Sequence, residues 1–72
     1  MDNKKDIIKM NDITVVLFHN EDDSYLVFME RNSDKEKFNL IYFNPNGYQY
    51  KQSYSYAYQL SGFLNCDFRE MK

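Results

Sequence analysis

Ile13 to His19 (ITVVLFH) is the first strongly apolar stretch of the chain, seven residues rich in β-branched and aromatic side chains, and it predicts a strand. Ile13, Val15 and Leu17 fall on one side of that strand and Val16 and Phe18 on the other, so both faces want cover and a central position is expected. The polar run Asn20 to Ser24 reads as a short hairpin connection. Tyr25 to Glu30 (YLVFME) follows as a second strand, again apolar on both faces, and Arg31 to Glu36 as a charged loop.

The next stretch carries the clearest local signal. In Asn44-Pro45-Asn46-Gly47, Pro presets φ at the second turn position, Asn favours the first, and Gly tolerates the left-handed backbone that follows. Such a bulged three-residue hairpin loop predicts strands at Lys37 to Phe43 and Tyr48 to Ser53. It pairs Asn44 with Tyr48, Tyr42 with Tyr50, Leu40 with Gln52 and Phe38 with Tyr54. The register gathers Phe38, Leu40, Tyr42, Tyr50 and Tyr54 on one face and leaves Ile41 and Phe43 on the other. Tyr54, Tyr56 and Tyr58 keep a period of two, but Ala57, Leu60, Leu64, Phe68 and Met71 recur at three and four residues, the spacing of a helix stripe. The helix is therefore expected over Ser55 to Glu70, with Ser53 or Ser55 as N-cap and Gly62 on the face away from the stripe.

These elements predict one small domain, residues 1–72, of the α+β class: a four-stranded antiparallel β-meander with one C-terminal helix packed on one face. Residues 1–12 are polar apart from a few apolar positions and read as a segment that is mobile unless docked. One helix covers only one face of such a sheet. The second face, with Ile41 and Phe43, is expected to meet a protein partner or a second copy in a homodimer, with Ile7 and Ile8 as the alternative cover. Tyr48, Tyr56 and Tyr58 are the tyrosines expected to be exposed as contact residues.

Charge narrows the partners. Nine basic against eleven acidic residues leave a net charge of -2 and no basic stripe, which argues against a phosphate-binding surface. Glu21, Asp22 and Asp23 are the acids expected to steer a partner's approach. One cysteine, Cys66, permits no internal disulfide, and without an apolar leader or a membrane-length apolar run the chain reads as cytoplasmic.

Chemistry is sparse. One His and one Cys fall short of the ligands structural zinc needs, and the acidic turn lacks the spacing of a calcium loop. Two glycines make no phosphate loop, and His19 with Cys66 would require a chance meeting to form a nucleophile pair. The expectation is a non-enzymatic protein-protein interaction module without cofactor or metal. Small size and a bias toward Asn, Lys, Ile and Tyr suggest an inhibitor of phage or mobile-element type; a single-stranded nucleic-acid binder using sheet tyrosines, or a structural homo-oligomer subunit, is the alternative.

Overall fold

The computed structural model describes residues 11–45 and 49–72. Ile7, Ile8, Tyr48 and the Asn46-Gly47 half of the expected turn lie outside the described residues. The elements are β1 (Ile13–His19), β2 (Tyr25–Arg31), β3 (Glu36–Phe43), α1 (Tyr50–Leu64) and β4 (Asp67–Met71). The strands form one sheet in the order β3-β2-β1-β4, with α1 packed against β1, β2 and β4.

The class is α+β, as the hydrophobic pattern predicts, and the first three strands appear at the expected places. The topology departs from a meander. β1 with β2 and β2 with β3 are antiparallel, but β4 runs parallel to β1, from Thr14 opposite Asp67 to Phe18 opposite Met71. The sheet is mixed because α1 lies between β3 and β4 in sequence and acts as a crossover connection, which parallel strands require. Tyr50 to Ser53 of the expected fourth strand are thus helical, and the expected pairs of Tyr42 with Tyr50, Leu40 with Gln52 and Phe38 with Tyr54 do not form.

Both ends of the helix differ from expectation for identifiable reasons. Gln49 stands at the N-cap, so neither Ser53 nor Ser55 caps the helix. At the other end Asn65 turns left-handed, with φ 57°. Its N–H donates to the Gly62 carbonyl and that of Cys66 to the Ser61 carbonyl, the paired bonds of a Schellman cap. Phe68 and Met71, which continue the helical spacing, belong instead to β4.

Val15, Leu17, Val27 and Ala57 are fully buried and form the core between sheet and helix. Ile41 and Phe43 pack against them, which inverts the expected face assignment: these two side chains lie beneath α1, while Tyr42 is exposed. Register decides this, since Val27 sits opposite Ile41 and Tyr25 opposite Phe43, on the side of the sheet that bears Val15 and Leu17. An irregularity between Val27 and Phe28 leaves Leu40 without a partner in β2, a bulge on an edge strand.

The helix meets the sheet through Ser53, Ala57 and Ser61, a buried line at intervals of four. Small side chains let the helix axis approach closely. The two hydroxyls are satisfied within the helix, Ser53 Oγ donating to the Tyr50 carbonyl at 2.9 Å and Ser61 Oγ to the Tyr58 carbonyl at 2.7 Å.

On the opposite face Thr14, Val16, Phe28 and Glu30 are also buried. The expected open apolar patch on the central strands is therefore not present. Glu30 ties three strands together. Its Oε1 accepts from Arg69 Nη2 of β4 at 2.6 Å, and its Oε2 lies 3.9 Å from Lys37 Nζ of β3. Asp12, expected in the mobile segment, is anchored: its carboxylate accepts from the Ser33 N–H and Oγ at 2.9 and 2.8 Å.

Candidate functional site

β1, β3 and β4 all run in one direction, so their carboxyl ends gather at the end of the molecule where α1 begins. A cleft of about 470 Å³ opens there, lined by Leu17, His19, Tyr25, Tyr50, Glu70, Met71 and Lys72. His19 stacks on Tyr25 with ring centroids 4.5 Å apart, and its Nε2 lies 3.0 Å from Asp23 Oδ1. Tyr50 donates its hydroxyl hydrogen to Glu70 Oε2 at 2.6 Å. That bond to a carboxylate, aided by partial desolvation, pushes the phenol up from 10.0 to about 12. A phenol held this firmly in its neutral form is a poor proton donor or nucleophile near neutral pH. Cys66 does not join His19: it precedes β4, whose first residue pairs with Thr14, about 16 Å along β1 from His19.

The acidic turn between β1 and β2 is occupied by its own geometry. Asp22 Oδ1 accepts from the Ser24 N–H at 3.0 Å and from its Oγ at 2.5 Å, which holds the carboxyl below its usual range. Asp23 adopts a left-handed φ of 70° and faces His19. Glu21, Asp22 and Asp23 are all exposed, yet two of the three serve the turn. Among the described residues no group of three or more His, Cys, Asp or Glu could hold a metal ion.

The sites expected for a partner separate on the structure. Ile41 and Phe43 sit against the core, Phe43 meeting Tyr56 edge-on at 6.4 Å, and Tyr48 lies outside the described residues. Tyr56 and Tyr58 are exposed on α1 and flank its outward side. With 100° per residue, Ser53, Ala57 and Ser61 set the inward direction, and Ser55, Gln59 and Gly62 point directly away from it. Tyr56 and Phe63 border this crest on one side and Tyr58 on the other.

Phe63 was not singled out in the sequence and joins Tyr56 and Tyr58 as a candidate. It is 87 % exposed, far more than any other large apolar side chain described. Residues 52–66 hold no Asp, Glu, Lys or Arg, and that run without charge on a surface helix was the readable signal. Tyr50, Tyr54 and Tyr58 form a ladder along the flank facing β4, with centroids 5.8 and 5.9 Å apart and Phe68 packed edge-on against the last two. On the strands, Tyr42 is exposed and Tyr25 is half-buried, so the described tyrosines form no platform across the sheet.

The two sheet edges present less inviting surfaces. β4 is short and carries Asp67, Arg69 and Glu70, while β3 exposes Phe38, Leu40 and Tyr42 but is interrupted by its bulge and bears Lys37. Charges and bulges are the devices by which edge strands avoid pairing with other chains. Among the described residues no helix is long and apolar enough to cross a membrane. Comparison with protein families, with curated proteins and with solved structures returns no match.

Proposed function

We propose that the protein is a non-catalytic protein-protein interaction module that binds through the outward face of α1. The observation that carries this reading is the solvent-exposed Phe63, set beside Tyr56 on a helix face without a charged residue from Gln52 to Leu64. Exposed aromatic anchors on a rigid element are what binding hot spots are made of. A helix held to its sheet by Ser53, Ala57 and Ser61 presents those anchors with little entropy left to lose. Glu21, with what remains of the acidic turn, steers encounter, and the action is occupation of the partner's surface, as an inhibitor or adaptor would act.

A single-stranded nucleic-acid role has less support, since most of the described tyrosines are on the helix and residues 52–66 hold no basic side chain. A photo-cross-linking residue placed at position 63, with one at the exposed Lys35 as control, tests the reading in the source cell. Discrete protein adducts from position 63 and none from position 35 are expected. Absence of adducts at 63, or the same adducts from both, would refute it.

A further inference from the structure

Building on the interaction reading above, we infer that the occupant of the α1 face is a second copy of this chain, packed antiparallel about a two-fold axis near Gln59. In that arrangement Tyr56 of each copy meets Phe63 of the other, and Gln59 meets its own counterpart, whose amide supplies both a donor and an acceptor. The contact needs no charge to be answered, because the face itself carries none. Each molecule carries a net charge of -2, and within α1 only Lys51, at the rim of the face, belongs to the charged residue types, so helix meets helix without like charges set against each other.

Gly62 supports close approach. A Cβ built there meets nothing within 4 Å, and its φ is not in the left-handed range, so neither packing nor backbone within the chain calls for glycine. Glycine is a poorer helix residue than alanine, and a bare spot beside Phe63 is where a second helix backbone can come near.

The area sets the strength. Phe63, Tyr58 and Tyr56 are 87 %, 58 % and 40 % exposed. At about 200 Å² per ring side chain they offer roughly 370 Å² per copy. With Gln52, Ser55, Gln59 and Gly62 the face reaches about 500 to 600 Å² per copy, at the low end for a specific interface, which suits a reversible dimer.

Sedimentation velocity of the full chain from about 1 µM to 1 mM tests this. The wild type is expected to pass from monomer to dimer with little dependence on salt. Phe63→Asp is expected to stay monomeric throughout. Gly62→Ala is expected to raise the thermal midpoint while weakening dimerisation about tenfold, a combination that loss of folding cannot produce. Tyr42→Ser, on the other face of the sheet, is expected to leave the dimer unchanged. A wild type monomeric at every concentration overturns the self-pairing, and adducts to a different protein from position 63 would then leave the interaction reading standing alone. A dimer that survives Phe63→Asp, or one lost in Tyr42→Ser, overturns the proposed face.

Discussion

Replacing Arg69 with methionine keeps the length and apolar stem of the side chain but strips Glu30 of its closest partner. The Glu30 side chain is 8 % exposed, and its two oxygens are held by Arg69 at 2.6 Å and Lys37 at 3.9 Å. Breaking a fully buried pair by removing one member costs about 3 to 5 kcal/mol, because a charge is left without compensation. Here the Arg69 side chain is 46 % exposed, so water reaches the pair, and Lys37 remains. The expected loss is therefore nearer that of one charged hydrogen bond, about 2 kcal/mol. For a domain of this size that corresponds to a fall in Tm of roughly 8 to 16 °C.

Glu30→Gln removes the charge that Arg69 and Lys37 answer, leaving the two half-exposed cations to solvent. Added to Arg69→Met, it is expected to restore about 1 kcal/mol, since a neutral amide at that depth no longer demands a cation. Urea unfolding followed by far-ultraviolet circular dichroism suits the measurement, the chain having no Trp. If the double variant is destabilised by the sum of the two single losses, within about 0.5 kcal/mol, the pair is not coupled and the reasoning fails.

Three further outcomes are expected. Asn65→Ala should cost about 1 kcal/mol through its left-handed backbone, with Asn65→Gly costing much less, both read by chemical denaturation. Ala57→Leu, forced into the fully buried contact with Val15, Leu17 and Val27, should destabilise by about 3 kcal/mol or unfold the chain; a loss under about 0.5 kcal/mol would mean the helix can lift off the sheet. Ultraviolet titration should show Tyr50 ionising near 12, returning toward 10.0 in Glu70→Gln. Because folding raises this phenol's pKa, its contribution to stability is whole below pH 10.0 and lost as pH climbs through about 12, so wild type and Glu70→Gln should converge at the alkaline end.

The strands at Ile13 and Tyr25 were legible because their β-branched and aromatic runs have no helical reading, and β3 because a turn sequence follows it. The tyrosines misled for a geometric reason. Tyr50, Tyr54 and Tyr58 are four apart, and a period of four is contained in a period of two, so a ladder on a helix imitates one face of a strand. The line that buries the helix is equally hard to read, since Ser53 and Ser61 contribute smallness and not hydrophobicity. β4 was hidden by coincidence: Phe68 falls four residues after Leu64, continuing the helical count across a left-handed Asn that ends it. Of the candidate face, half was legible. Tyr56 and Tyr58 were expected on the surface and are there, whereas Ile41 and Phe43 depended on a hairpin register that does not exist.

The parallel ladder between β1 and β4 has a kinetic consequence. Thr14 and Asp67 are 53 positions apart in sequence, and nothing local brings them together. The hairpin of β1 and β2 can close within a few residues of chain, but the fourth strand finds its place only after α1 has laid itself across the sheet. Loop-closure entropy is spent before the last contacts return any energy, so assembly of this edge is expected to be the slow event in folding, with the Glu30 carboxylate waiting in a nearly finished sheet for Arg69 to arrive.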